Sequence, residues 1–314
     1  MKAHLELQGI TKQYGEKKAV DGLDLKIPKG CIYGIIGPNG AGKTTTIRMI
    51  MNIIVPDSGT VLFDGNPVDN EFKNRVGYLP EERGLYKKMT LKEVILYMGR
   101  LKEASAKDIN ANMDIWLTRM KLIEYKDKKV EELSKGMQQK LQFITTLIHD
   151  PEIIILDELF SGLDPLNIEL IKNVVLDLKK QGRTILFSTH VMEQAEKLCE
   201  YICMINGGKK VLDGPLSDVK SQYGTNSIHL EIDGDGSFLH TITGIESVTE
   251  YTNYYELTVS DSVQTNDILK TIVDKVKVKR FERIEPSLYN IFIRLAGGEE
   301  ALKVDASAGE GGIR

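Results

Sequence analysis

One eight-residue stretch, Gly37-Pro38-Asn39-Gly40-Ala41-Gly42-Lys43-Thr44, constrains this chain more than any other. Its glycines let the backbone turn where a Cβ would obstruct, so that several N–H groups converge on one point. The apolar run Cys31-Ile32-Tyr33-Gly34-Ile35-Ile36 precedes it and reads as a buried strand, and a helical run from Lys43 to about Asn52 follows. Strand, glycine turn and helix N-terminus in that order make a cradle for an anion, because the helix dipole and the free N–H groups point the same way. The pattern G-x-x-x-x-G-K-[ST] is met in full, so the expected anion is the phosphate chain of a nucleotide. Lys43 then faces the outer phosphates and the Thr44 hydroxyl is placed to ligate Mg²⁺. An unliganded glycine turn is the plain alternative, and the flanking strand and helix argue against it.

A nucleotide site also has to hold its metal and prepare a water. The aliphatic run Ile153-Ile154-Ile155-Leu156 ends in Asp157-Glu158. A buried strand that ends so places Asp157 to orient Mg²⁺ or its water shell, and Glu158 to take a proton from the attacking water. Alone, two carboxylates at a strand end are usually solvated or capping. Joined to the phosphate loop in one α/β sheet, they become chemistry. Ser134, at the start of a helical run, reads two ways. Its hydroxyl either caps its own chain or joins the Gly136 N–H in presenting donors to a terminal phosphate.

The remaining composition narrows the partners. A chain of 314 residues has room for one large domain and a smaller second one. Hydrophobic residues make up 41% and charged residues 27%, an ordinary balance for a core-forming protein. A net charge of −4 offers no broad phosphate-neutralising surface, so no nucleic-acid partner is expected. Cys31, Cys199 and Cys203 lack CxxC spacing and read as buried, reduced thiols, with Cys199 and Cys203 one turn apart if their segment is helical. The N-terminal MKAHLELQGI lacks the apolar core of a signal peptide. The run Ile153–Leu156 is far short of the roughly 20 residues that cross a bilayer. Any membrane path is expected on another chain.

Along the chain, residues 1–30 alternate apolar and polar like antiparallel strands, with turns at Tyr14-Gly15 and Pro28-Lys29-Gly30. From about Glu82 to Asp150 the spacing becomes helical. Leu91, Val94, Ile95 and Met98, then Ile115, Leu117, Met120 and Leu122, then Met137, Leu141, Ile144 and Ile148 are expected to face a core. A strand at Ile153–Asp157, a helix over about Leu166–Lys180, a strand at Thr184–Ser188, a helix over Met192–Glu200 and a strand at Tyr201–Ile205 imply a parallel sheet with crossover helices. Asn206-Gly207-Gly208 marks a hairpin turn. Beyond Gly224, strands at Ile228–Ile232 and Tyr255–Val259 and helices at Ile268–Val276 and Leu288–Leu295 make a small α+β domain. Domains are thus expected at 1–224, with a helical subdomain at about 82–150, and at 225–296, while 297–314 reads as a disordered tail.

Taken in order, Tyr14, the Gly37–Thr44 loop, Leu133-Ser134-Lys135-Gly136-Met137-Gln138-Gln139, Asp157-Glu158, Ser161-Gly162-Leu163-Asp164 and Ser188-Thr189-His190 resemble the motifs of ABC-family ATP-binding subunits. The resemblance runs over about residues 4–215. It implies an α/β fold: a P-loop NTPase core with a mixed sheet, an antiparallel β subdomain and a helical subdomain. It implies ATP and Mg²⁺ as cofactors, with Tyr14 stacking on adenine and Gly37, Pro38, Asn39, Gly40, Ala41, Gly42, Lys43, Thr44 and Thr45 holding the nucleotide. Glu158, His190 and Lys43 become the catalytic residues, and Thr44, Asp157 and Glu81 the metal site. Ser134, Lys135, Gly136 and Met137 become a signature that closes on the ATP of a second subunit. Ser161, Gly162, Leu163 and Asp164 form the D-loop. The implied partners are a second ATP-binding subunit, expected to be an identical copy, and a separate multi-span permease that holds the chain at the cytoplasmic face of the cell membrane.

Two departures refine the resemblance. Lys135 and Met137 replace the family's Gly and Gln, and Glu81 stands where most members carry the Q-loop glutamine. A carboxylate there is expected to reach the metal directly or through a bound water. The runs LPEERGLY (79–86) and LSKGMQQ (133–139), with a small C-terminal domain, resemble the sodium-extrusion and antibiotic-resistance type of export ATPase. The competing readings are a soluble ABC ATPase acting on ribosomes or DNA, a P-loop kinase or GTPase, and a regulatory ATPase. The first usually carries two cassettes or a coiled-coil insertion, and a GTPase an NKxD motif; this sequence shows none of these.

Overall fold

The computed structural model describes residues 3–82, 84–223, 227–260 and 263–295. Arg83, the Gly224-Thr225-Asn226 stretch and the 297–314 tail lie outside the described residues. Contacts divide the chain into a unit of Met1–Pro215 and a unit that begins at Leu216. No helix among the described residues is long and apolar enough to cross a membrane.

The first unit opens with β1 (Ala3–Tyr14), β2 (Lys17–Pro28), β3 (Ile32–Ile36), α1 (Lys43–Ile50), β4 (Ser58–Phe63), β5 (Asn66–Pro67), α2 (Asn70–Arg75) and β6 (Val76–Leu79). Three longer helices follow: α3 (Leu91–Leu101), α4 (Ala106–Arg119) and α5 (Lys135–Leu147). Then come β7 (Ile153–Asp157), α6 (Pro165–Lys180), β8 (Thr184–Thr189), α7 (Met192–Leu198), β9 (Tyr201–Asn206) and β10 (Lys209–Pro215).

The central sheet has the order β10-β9-β3-β8-β7-β6. Its strands run parallel except β10, which returns antiparallel at the edge, so the sheet is mixed as expected. Every residue of β3, β7 and β8 is buried, the pattern of strands covered on both faces. Gly207 and Gly208 take φ of +55° and +78°, and this left-handed pair closes the β9–β10 hairpin.

A second sheet, β2-β1-β4-β5, is antiparallel. Leu5, Leu7 and Ile10 of β1 and Leu23, Leu25 and Ile27 of β2 alternate inward. They share one core with Ile47, Met49 and Ile50 of α1 and with Tyr33 and Ile35 of β3. The phosphate loop is thus anchored from both sheets.

Helices begin later than the sequence indicated. Glu81, Glu82 and residues 84–89 are not helical, and α3 starts only where Thr90 provides a capping box. The Thr90 hydroxyl accepts the Glu93 N–H at 3.3 Å and the Glu93 carboxylate accepts the Thr90 N–H at 2.7 Å. Ile115, expected in the core, is 63% exposed. The buried face of α4 is Ile109, Met113 and Leu117, spaced by four, and Ile115 sits two residues off that row, on the opposite side. Cys199 follows the end of α7 and Cys203 lies inside β9, so no single helix carries both. All three thiols are buried, and burial pushes that of Cys31 up to about 12.

The second unit contains α8 (Leu216–Gln222), β11 (Ser227–Asp233), β12 (Ile245–Glu250), β13 (Tyr255–Val259), α9 (Thr265–Val273), β14 (Lys277–Ile284) and α10 (Leu288–Leu295). Its sheet has the antiparallel order β12-β13-β11-β14. Ile268 and Ile272 of α9 pack on Ile228, Leu230, Leu257 and Val259.

Candidate nucleotide site

The loop between β3 and α1 is shaped by glycines that nothing else can replace. Gly37 has φ +152°, and a Cβ there would lie 2.1 Å from the Ile205 carbonyl oxygen. Gly42 has φ +111°, and its Cβ would lie 2.3 Å from the Ala19 carbonyl oxygen. The loop curls round the first side chain of α1. Lys43 is 6% exposed, and its ammonium donates to the carbonyls of Gly37 at 2.8 Å and Pro38 at 3.2 Å. Glu158 Oε1 is 3.6 Å from the same nitrogen. Burial lowers the pKa of Lys43 and the carboxylate of Glu158 opposes that pull.

β7 and β8 deliver the acidic half. Their parallel register sets Asp157 beside Ser188, whose hydroxyl donates to Asp157 Oδ1. Thr44 Oγ1 lies 3.5 Å from the same oxygen. Asp157 is fully buried, and its Oδ2 has no hydrogen-bond partner. Burial raises the pKa of Asp157, against the hydrogen bonds from Ser188 and Thr44. A buried carboxylate oxygen without a partner, next to a threonine hydroxyl, is the donor set a hard divalent cation requires. The residues fit Mg²⁺.

At Glu158 the chain leaves the strand abruptly. Its φ of +51° is left-handed, a costly conformation for a side chain with a Cβ. The turn is held because the Glu158 N–H donates to the carbonyl and to the hydroxyl of Ser188, each at 3.2 Å. His190, just past β8, brings Nδ1 within 3.0 Å of both Glu158 carboxylate oxygens.

Lys43, Thr44 and Glu158 border one cavity of about 440 Å³, which Tyr14, Lys17, Asn39, Gly40, Ala41, Gly42, Thr45 and Glu81 also line, whereas Gly37, Pro38, Asp157 and His190 are not among its lining residues. Tyr14 is half exposed, and the Lys12 ammonium lies 5.9 Å from its ring centre. Lys17 was not singled out from the sequence, and Ser188 was read only as the residue that leads to His190, not as a partner of Asp157. Ser188 carries no motif of its own at Asp157; the signal that finds it is the register of two parallel strands.

Ser134, Lys135, Gly136 and Met137 do not line this cavity, and neither do Ser161, Gly162, Leu163 and Asp164. The two groups meet each other instead. A Cβ on Gly136 would lie 3.5 Å from Asn167 Nδ2 and 3.8 Å from Leu163 Cδ2. Ser134 caps α5, its hydroxyl accepting the Met137 N–H at 3.3 Å, and Asp164 caps α6 by accepting the Asn167 N–H at 3.0 Å. That bond holds the Asp164 carboxyl below the usual range.

Comparison with known proteins agrees with this architecture. The ABC transporter family matches residues 20–161, and the C-terminal domain of DrrA1-3-like ATP-binding proteins matches residues 214–296. YhaQ of Bacillus subtilis (strain 168), an uncharacterized ABC transporter ATP-binding protein, is 43% identical over 293 residues, which cover 93% of this chain and 98% of that protein. Nod factor export ATP-binding protein I of Burkholderia lata is 33% identical over 301 residues, 95% of this chain and 98% of its own length. Among solved structures, an ATP-binding subunit of an ABC transporter aligns with a TM-score of 0.66 at 28% identity, over 70% of this chain and 93% of that one. The chain belongs to the family of ABC transporter ATP-binding proteins.

Proposed function

We propose that two copies of this chain bind Mg·ATP at a shared seam, hydrolyse it, and so power export through a separate multi-span permease at the cytoplasmic face of the cell membrane. The observation that carries this reading is that Lys43, Thr44 and Glu158 line one cavity, with Asp157, whose Oδ2 has no partner, directly behind Thr44.

The steps follow from the residues. An arriving γ-phosphate replaces the Gly37 and Pro38 carbonyls as the partner of Lys43. The glycine loop gives its N–H groups to the phosphate chain, and Tyr14 offers a ring face to adenine. Thr44 and Asp157 would hold Mg²⁺, with Glu81 reaching it directly or through a bound water, and the ion would supply positive charge to the phosphate chain. Glu158 takes the proton of the attacking water, and its neighbour His190 contacts the γ-phosphate. Ser134 and the Gly136 N–H serve the other copy's nucleotide, which accounts for their place outside the cavity of their own chain. Closure is driven because ATP binds the closed pair better than the open one. Hydrolysis then lets the pair part.

Coupling to the permease is assigned to the stretch from Glu81 to Met98. Tyr86 and Tyr97 stand there exposed, edge to face at 5.3 Å, a surface aromatic pair of the kind that anchors interfaces. Export rather than import follows the relatives named for Nod factor export and the 79–86 and 133–139 runs.

Glu158→Gln tests the core of the proposal. It should retain Mg·ATP binding, lower turnover by at least about 100-fold, and accumulate as an ATP-bound dimer on size exclusion. A monomeric variant that turns over near the wild-type rate would remove Glu158 as the base and the seam as the site.

A further inference from the structure

The nucleotide cavity holds a second lysine that the steps above do not use. Lys43 is buried beside Glu158, whereas Lys17 is exposed and lines the cavity together with Tyr14. Tyr14 ends β1 and Lys17 begins β2, and only the turn Gly15-Glu16 separates them, so the two are directly opposed across the hairpin. Cross-strand partners share a face, which puts the ring and the ammonium on the same side. The tip that carries them is braced. Asp57 accepts the Lys12 ammonium at 2.7 Å and the Gln13 N–H at 2.8 Å, and the Gln13 side-chain amide donates to the Gly15 carbonyl at 2.7 Å.

From Lys17 the strand runs into the phosphate loop. Gln13 pairs with Lys18 and Lys12 with Val20, so Ala19 is an extra residue on β2, a bulge of the kind that re-aims a strand beside a site. The Ala19 carbonyl oxygen would lie 2.3 Å from a Cβ on Gly42, and Ala19 lines the cavity as well. Lys17 is therefore two residues from the point where β2 meets the N-terminus of α1. In a loop of this pattern the backbone N–H groups at that point cradle the α- and β-phosphates, while the loop lysine serves the β- and γ-phosphates. Lys17 stands between those N–H groups and the ring offered to adenine. The lysines near it are engaged: Lys12 by Asp57 and the Val55 carbonyl, Lys18 by Asp21. Among the described residues, the Lys17 ammonium has no hydrogen bond and no ion pair.

We propose that Lys17 binds the α-phosphate of the nucleotide and sets how tightly the chain holds ATP and ADP alike. This rests on the nucleotide reading above and adds a contact to it. When the γ-phosphoryl group leaves, no bond to the α-phosphorus forms or breaks, so the charge there is the same before, during and after transfer. A cation at that place stabilises bound substrate and transition state equally; it raises affinity and does not raise kcat. It holds ADP by the same factor. The two lysines thus divide the nucleotide: Lys43 acts where charge develops, and Lys17 where charge is constant. Because Lys17 is exposed, its contact is modest and weakens with salt.

The test uses the purified full chain. Lys17→Ala should weaken Mg·ADP about fivefold in equilibrium titration, and Mg·ATP by the same factor when titrated in the Glu158→Gln background. In chains that keep Glu158, kcat/KM should fall to match and kcat should not fall. Adenosine, which carries no phosphate, should compete against Mg·ADP with unchanged affinity. Added salt should narrow the gap between wild type and variant. Lys17→Arg should bind like the wild type, and so should Lys18→Ala, whose ammonium is tied to Asp21 and does not line the cavity. If Lys17→Ala does not fold, Lys17→Gln carries the same expectations. Adenosine weakened as much as ADP would make Lys17 a prop for Tyr14. A fall in kcat with ADP affinity unchanged would move it to the γ-phosphate, and affinities equal to wild type would leave it a surface lysine. Each of these overturns the assignment while the nucleotide reading stands. A wild type that binds neither Mg·ATP nor Mg·ADP overturns both.

Discussion

The two regions of the first unit to which the proposed function assigns phosphate contacts are built on opposite plans. Around Lys43, Asp157 and Glu158, every charged group is buried, and each is held by a loop carbonyl, a serine hydroxyl or another of the three. At the start of α5, Ser134 and Lys135 are exposed, and the Met137 N–H is engaged by Ser134's own cap. Burying charges is costly unless they are paired, so the cavity invests its stability in one arrangement that a triphosphate and its cation complete. An exposed helix N-terminus costs little and binds weakly by itself. The contrast fits the proposed function, in which the cavity is built by one chain and the signature is half of a site completed by a second copy.

The strongest way to break that comparison is Lys43→Ala. It removes the buried ammonium that lies 3.6 Å from Glu158 at the start of α1, so turnover should fall by about 1,000-fold or more, and nucleotide affinity should fall with it. Phosphate release and calorimetric titration with Mg·ATP read the two effects. Turnover within tenfold of wild type would mean that the buried cluster is structural.

Ser134→Ala sharpens it from the other side. Loss of a cap costs about 1 kcal/mol of stability, and loss of a phosphate donor should cut turnover about tenfold. Nucleotide affinity measured at concentrations where the chain is monomeric should not change. Mixing Ser134→Ala chains with Lys43→Ala chains should then raise activity several-fold above the mean of the two alone, because a mixed pair holds one composite site with both residues intact. Activities that simply average would place Ser134 in its own chain's chemistry.

How much of this was legible in the sequence follows the same division. The phosphate loop was readable because its chemistry lies in eight consecutive residues, and α10 because Leu288, Ile291 and Phe292 are buried at helical spacing. β14 was not. The irregularity opposite Glu231 and Ile232 sets Lys279 and Arg280 in succession, so the apolar residues fall at Val276, Val278, Phe281 and Ile284. Spacings of two, three and three imitate a helix, and the helix read over Ile268–Val276 ran past the true end of α9 at Val273. The role of Ser188 at Asp157 was hidden for a different reason: its partner lies 31 residues away and only strand register brings them together. Whether Ser134 caps its helix or serves a phosphate could not be read at all, since both uses need the same residue at the same place.

A smaller and more selective effect concerns the far end of the signature helix. His149 lies just beyond α5, and its Nε2–H donates to the Val76 carbonyl of β6 at 3.2 Å, while Nδ1 is buried with no partner. Burial, reinforced by the charge of Lys102, lowers its pKa to about 4. The folded value is below the unfolded one of about 6.5. The neutral ring therefore contributes stability that is fully present above about pH 6.5 and is lost as pH falls toward 4. Over that whole range the loss is on the order of 3 kcal/mol, and at pH 5.5 roughly half of it or less. Thermal melts from pH 7.5 to 5 should fall in the wild type and flatten in His149→Gln. Hydrogen exchange should show α5 loosening ahead of β7 and β8, since the imidazole ties the helix to the sheet edge and not to the cavity. Equal acid sensitivity in both proteins would mean that the signature helix is anchored elsewhere, and that the two regions are less independent than their construction implies.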